Sequence, residues 1–213
     1  MFKVFVICIY LLLIFFLSSI FQKDKTNDKE LKRKVIHIGI GPLIPIAQLL
    51  KIDQFSALVF TGIISLLVLI NYTYKIFPTI EDVERKSYGT LFYCLSLFFL
   101  IYLFWEKDPY SLIAGFFIMT FGDGLAGLIG KTFNSKSWIL FKQKKSLFGT
   151  ITMFLTSLIV VASLGYIQEF SFNLNYFTIA FIATFLEQFS ILGIDNLIVP
   201  ITSALFYSFY ITS

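Results

Sequence analysis

Apolar residues gather into eight runs separated by short polar stretches, at 4–21, 35–50, 55–70, 91–105, 110–129, 147–164, 176–192 and 197–211. Each run comes near the ~20 residues that an α-helix needs to cross hydrocarbon, and none alternates with the two-residue period of a half-buried strand. The pattern predicts an all-α, polytopic membrane protein with about seven or eight transmembrane helices. With polar stretches this short, residues 1–213 read as a single integral membrane domain.

Two runs depart from a plain lipid-facing helix. The run at 35–50 is short and holds His37, Gly39, Gly41, Pro42 and Pro45. Proline frees backbone carbonyls that hydrocarbon cannot satisfy, so this stretch is expected to be a broken or re-entrant segment facing protein. The last run, about 15 residues long against the ~20 of a full span, contains Pro200 and is expected to span with difficulty or lie partly in the interface.

Composition strengthens the membrane reading and changes how the charge is read. Of 213 residues 57% are apolar and 14% charged, against about 45–50% and about 25% in soluble domains. The net charge of +4 therefore indicates membrane-proximal cations and no nucleic-acid partner. Cys8 and Cys94 lie inside apolar runs and form neither a CxxC pair nor a zinc-ligand spacing. Stretches 22–34, 71–90 and 130–146 together carry fourteen of the seventeen Lys and Arg residues. Cytoplasmic loops hold the excess of cations, which places these stretches in the cytoplasm and the N-terminus on the opposite side. The first run is expected to be retained as a span, because it ends in Ser18-Ser19-Ile20-Phe21 without a small-residue cleavage pattern.

Candidate chemistry starts with Gly122-Asp123-Gly124-Leu125-Ala126-Gly127, which has G-x-G-x-x-G spacing. No Asp or Glu occurs between Asp123 and Glu169, whereas a dinucleotide fold needs an acid about 20 residues on. A P-loop fails too, since five residues separate Gly124 from Gly130 ahead of Lys131. What remains is an acid seven residues inside Gly130, about 10 Å deep at 1.5 Å per residue. Ionisable groups at such depth face a protein interior or an aqueous cavity. Gly122 and Gly124 would let a phosphate or metal-bound oxygen approach the backbone; the structural alternative is a helix-packing face.

Other groups share that membrane face. His37 follows Lys32, Arg33 and Lys34, and Glu187 is placed about six residues inside a helix end at Gly193. A buried, unpaired Glu is costly, so a metal, a cation or proton transfer is expected there. Asp195 and Asn196 follow, near Pro200. The middle cytoplasmic loop, with Glu81, Asp82, Glu84 and Arg85, belongs to the same side. Ser146 is positioned to cap the sixth helix, leaving free N–H groups near Lys144, Lys145 and Gly149, a combination suited to an anion. Lys136 and Lys142 read as ordinary membrane anchors. Together these groups can hold a nucleoside triphosphate with a divalent metal and receive a lipid from the bilayer. Phosphoryl transfer needs mainly positioning and charge neutralisation.

Five stretches resemble one family: LKRKVIHIGIG (31–41), ERKSYGTLFY (84–93), GDGLAGLIGK (122–131), KKSLFGTITMF (144–154) and FLEQFSILGIDNLIVPI (185–201). In this order they are similar to the CTP-dependent polyprenol kinases, which include phytol kinase, dolichol kinase and the yeast-type diacylglycerol kinase, with the phytol kinase branch nearest. The resemblance covers 31–201 and leaves 1–21 outside. At Gly127 many relatives carry another acid.

The resemblance implies transfer of the γ-phosphoryl group of CTP to a long-chain isoprenoid alcohol, phytol first, in a membrane-embedded enzyme using Mg²⁺. It implies catalytic roles for Asp123, Glu187, Asp195 and His37, with Asp123 and Asp195 on the metal. Nucleotide and phosphate contacts are implied for Arg33, Lys34, Arg85, Gly122, Gly124, Lys131, Lys144, Lys145, Ser146, Gly149 and Asn196. The alternatives are a dolichol, farnesol or diacylglycerol kinase, a phosphatidate cytidylyltransferase, and a small membrane transporter using Asp123 and Glu187 as an ion path. No protein partner is inferable from the residues.

Overall fold

The computed structural model describes residues 2–20, 28–74, 88–141 and 143–212. Its helices follow the eight apolar runs. They are α1 (Phe2–Ile20), α2 (Asp28–Ile40) with its short continuation α3 (Leu43–Leu49), α4 (Gln54–Tyr74) and α5 (Gly89–Phe104). Next come α6 (Pro109–Phe117), a wide π turn (Ile118–Asp123) and α7 (Gly124–Thr132), then α8 (Leu147–Ile167), α9 (Asn175–Glu187) and α10 (Asp195–Tyr207), the last ending in a second π turn (Ser208–Thr212). The chain is an all-α membrane protein. Among the described residues three rods are long and apolar enough to cross a membrane: Gln54–Tyr74, Pro109–Thr132 and Leu147–Ile167.

The second run is broken, as its prolines predict. α2 stops at Ile40, and Gly41 sits so tightly that a Cβ there would lie 2.9 Å from both the Phe121 ring and the Thr120 methyl. Pro42, which has no N–H to give an ongoing ladder, then leads into α3. Asp53 opens α4 by accepting from the Ser56 N–H and hydroxyl at 2.8 Å each; those bonds hold its carboxyl below the ordinary carboxylate range.

Lipid tails are as apolar as leucine, so membrane helices associate by close packing of small residues. A Cβ on Gly115 of α6 would sit 2.2 Å from the Pro200 carbonyl oxygen of α10. One on Gly130 of α7 would meet the Ser146 hydroxyl at 2.5 Å and the Gly149 Cα at 3.3 Å. These crossings make Pro109–Thr132 the central rod, with 61% of its apolar window buried against 22% and 28% for α4 and α8. Leu112, Ala114, Phe116, Ile118 and Thr120 are fully buried. Around this rod, α2 packs on α7, α8 on α7 and the π turn, and α10 on α5, α6 and α9.

One expectation is corrected and two features are added. The final run packs into the bundle, with Val199, Pro200, Ala204 and Tyr207 buried, because Gly115 lets α10 lie directly on α6. The seventh helix ends at Glu187, not near Gly193. Lys145 takes the Glu187 carbonyl at 2.8 Å, Gln143 takes that of Ser190, and the chain turns through Leu192 (φ 52°) and Gly193 (φ 87°). Finally, the 130–146 connection contains an antiparallel hairpin, β1 (Ser137–Leu140) and β2 (Gln143–Ser146). Four-residue strands are too short to register against the helical pattern around them.

Candidate active site

The central rod delivers its one acid to a junction of four helices. Asp123 closes the π turn, and wide turns of this kind re-aim side chains within otherwise regular helices. The end of α9 brings Glu187, and the start of α10, after the Leu192–Gly193 reversal, brings Asp195. One carboxylate oxygen from each of these three residues lies within 4.8 Å of the others. Glu187 and Asp195 are each 7% exposed.

Like charges this close require compensation, and two lysines supply it. Lys34 of α2 donates from Nζ to Asp123 Oδ2 at 2.7 Å and to the Asp123 carbonyl at 3.0 Å. Lys145 of β2 pairs with the Glu187 carboxylate while also donating to its carbonyl. His37 Nε2 stands 3.6 Å from Asp123 Oδ2 and 3.3 Å from the Met119 carbonyl. Asp195 differs: its Oδ1 is buried without a hydrogen-bond partner among the described residues. Buried polar atoms ordinarily have partners, so an acceptor left open beside two other carboxylates suits a cation. Three carboxylates are hard oxygen ligands of the type that Mg²⁺ takes together with substrate phosphates.

The cluster lies in a cavity of about 1090 Å³. Arg33, Lys34, His37, Asp123, Lys131, Lys144, Lys145, Ser146, Gly149, Glu187, Asp195 and Asn196 all line it, drawn from sites far apart in the chain. Ser146 caps α8, its Oγ accepting from the Gly149 N–H at 3.2 Å. Asn196 donates to the Gly89 carbonyl at 3.2 Å. Arg85, with Glu81, Asp82 and Glu84, lies outside the described residues.

Gly122 and Gly124 are not on the cavity wall. A Cβ at Gly122 would meet Met153 Sδ at 2.7 Å, and one at Gly124 would meet Ile38 at 2.4 Å. Their missing side chains make room for α8 and α2, and the space expected for a phosphate is filled by those neighbours. Gly127 stands against the Lys34 stem, 2.6 Å from Cε to an added Cβ; a side chain there would press on the lysine that holds Asp123.

The hairpin contributes residues that spacing did not reveal. Its register pairs Trp138 with Lys145 and Leu140 with Gln143, and directly opposed residues share a face. That face turns inward: Gln143 donates to the Ser190 carbonyl, and the Ser190 hydroxyl donates back to Gln143 Oε1 at 2.9 Å. This pair of hydrogen bonds pins β2 to the chain just beyond α9 and so sets Lys145 on Glu187. Nothing in a lone Gln forty-seven positions before a lone Ser signals this. Gln188, which donates to Glu187 Oε2 at 2.9 Å, was equally silent.

Comparison with known proteins now decides the family. The chain is 35% identical to the phytol kinase of Synechocystis over 192 residues, covering 88% of this chain and 82% of that protein. The chain belongs to the phytol kinase family. It is 31% identical over 151 residues to the probable phytol kinase 2, chloroplastic, of Glycine max, which matches 66% of this chain over half of that protein's length. With the farnesol kinase, chloroplastic, of Arabidopsis thaliana it shares 28% over 200 residues, 84% of this chain and 64% of that one. No family model matches the chain, and no solved structure does. These relatives thus carry names for two isoprenoid alcohols.

Proposed function

We propose that this protein transfers the γ-phosphoryl group of CTP to a long-chain isoprenoid alcohol, phytol first, giving the alkyl phosphate and CDP. The observation that carries the reading is the triad Asp123, Glu187 and Asp195 with Lys34 and Lys145 beside it, in a cavity lined further by Arg33, Lys131 and Lys144. Phosphoryl transfer draws on this combination of fixed cations and carboxylate-held metal. The substrate class rests on the relatives named phytol kinase and farnesol kinase, and the choice of CTP on the resemblance of the five motifs.

Asp123 and Asp195, with Glu187 as the third carboxylate, would hold a divalent cation such as Mg²⁺. Bound there, it would neutralise charge on the triphosphate and on the departing diphosphate. Lys144, Lys145 and Lys131 would take phosphate oxygens, and Arg33 and Lys34 would close the site from α2. The alcohol oxygen bonds to the γ-phosphorus as the bond from that phosphorus to the bridging oxygen breaks, CDP leaving with the electron pair. The alcohol proton passes to a carboxylate, and Asp195 is the one with no lysine bonded to it among the described residues. The cation-rich loops support a site on the cytoplasmic face with the N-terminus opposite.

The test uses membranes carrying the protein, CTP or ATP labelled at the γ-phosphate, Mg²⁺, and a panel of phytol, farnesol, dolichol and diacylglycerol. Label in phytyl phosphate from CTP, with CDP released, is expected. Pyrophosphate release would replace the reading with cytidylyl transfer, and unlabelled lipid throughout would remove it.

A further inference from the structure

The cavity has two unlike ends, and they divide its ligands. At one end Lys131, Asn134 and Lys144 open to solvent under the hairpin. At the other, the lining runs down between α2 and α5 as Ile36, Ile40, Thr90 and Tyr93. Helix α2 explains why this second end stays open. Its Lys34 and Ile38 face α7, where Gly127 and Gly124 receive them, and its Gly39 faces Ile14 of α1. Residues three and four apart share a helix face, so Arg33, Ile36, His37 and Ile40 form a separate stripe. That stripe lies on the cavity wall, while the helices packed most extensively on α5 are α4, α6 and α10.

The stripe grades from charged to apolar over the eight residues from Arg33 to Ile40, about 10 Å of helix. Its inner wall is fixed. The His37 and Tyr93 rings meet at 4.6 Å. The Tyr93 hydroxyl donates to the His37 carbonyl at 3.3 Å and shares a hydrogen bond with Thr120 Oγ1 at 3.2 Å. A rigid wall with a polar head and an aliphatic descent matches a lipid whose only polar group is a terminal hydroxyl.

We infer that the cleft between α2 and α5 is the binding site for the alcohol's hydrocarbon chain. The hydroxyl sits at the His37 and Asp195 end and the chain runs past Ile36, Ile40 and Tyr93 to the bilayer. The nucleotide then arrives from the solvent end, and the two substrates meet at the carboxylates. This assignment rests on the kinase reading for the identity of its occupant. The rival apolar wall, formed by Phe141, Ile191 and Leu192, belongs to connections beside the hairpin, and each of these residues is about half exposed.

Two measurements test it. A phytol analogue bearing a diazirine on its chain is photolysed with the wild-type protein in membranes, and labelled peptides are mapped. Labelling within 32–40 and 88–97 is expected; labelling confined to 133–141 or 189–193 would overturn the assignment. In the second, Ile40→Trp and Thr90→Trp fill the cleft without touching the carboxylates or lysines. Each should raise KM for phytol by about tenfold or more, the scale on which apolar pockets discriminate, with KM for CTP unchanged. Unchanged KM for phytol in both variants, from a wild type that phosphorylates phytol, would also overturn it. A wild type that labels in the cleft but phosphorylates no alcohol would instead sink the kinase reading and leave the lipid site standing.

Discussion

Replacing Asp195 with Asn separates the work of the carboxylate cluster from its cost. At 4.8 Å two unit charges repel by about 3.5 kcal/mol when the effective dielectric constant is about 20, and Asp195 has two such neighbours. Asp123 and Glu187 each gain a bonded lysine, whereas among the described residues Asp195 has no ion pair and its Oδ1 has no donor. Lys34 and Lys145 offset part of the repulsion. Neutralising Asp195 should therefore stabilise the cation-free protein by about 1–2 kcal/mol, since an uncompensated buried charge is being removed. In a chain of this length that is about 2–8 °C in Tm. Thermal unfolding in detergent, followed by Trp105 and Trp138 fluorescence with and without Mg²⁺, reads both sides of the argument. Wild type should gain about 2.7 kcal/mol at a hundredfold excess over Kd, and Asp195→Asn should lose most of that gain. A variant that starts less stable than wild type and keeps the full Mg²⁺ shift would refute the reasoning on both counts.

Asp123→Asn should abolish phosphoryl transfer and, unlike Asp195→Asn, lower the cation-free Tm, because it leaves the buried Lys34 ammonium without its 2.7 Å partner; undiminished turnover would remove Asp123 from the mechanism. Gln143→Leu breaks both bonds to Ser190 and frees Lys145 from its set position, so kcat should fall with KM for phytol unchanged in steady-state kinetics; equal loss of both would mean general destabilisation. Ser146→Ala removes the cap on α8, for which about 1 kcal/mol is usual, a Tm decrease of about 2–4 °C by the same fluorescence assay. Gly115→Val drives a side chain into the Pro200 carbonyl, and folded protein recovered from membranes should drop to a small fraction of wild type, overpacking costs of about 1–3 kcal/mol being the mild outcome; normal yield would show that the α6–α10 crossing can spread.

The linear pattern of residues was sufficient for several features. Apolar runs near spanning length place helices at the right stretches, since burial in lipid imposes the same demand on every turn. Gly41-Pro42 breaks the second run wherever it lands, because a proline nitrogen has no hydrogen to donate. Asp123, Glu187 and Asp195 stand out singly, each being an acid in or beside apolar sequence where an unpartnered charge is expensive. Which group answers which was beyond the sequence. Lys34 meets Asp123 across eighty-nine positions and Lys145 meets Glu187 across forty-two, and such pairings depend on how helices cross. Those crossings depend in turn on whether Gly115, Gly124 or Gly130 faces a neighbour or a ligand, and a glycine in sequence reads the same either way. The early end of α9 was hidden for a related reason: its last carbonyl, that of Glu187, accepts from the side chain of Lys145 in the hairpin instead of from the next turn. Composition and period thus determine that this protein is a bundle of membrane helices with acids at one face. Only the three-dimensional packing decides that two of three carboxylates are lysine-bonded, that the third is open, and that a cleft leads from them between α2 and α5.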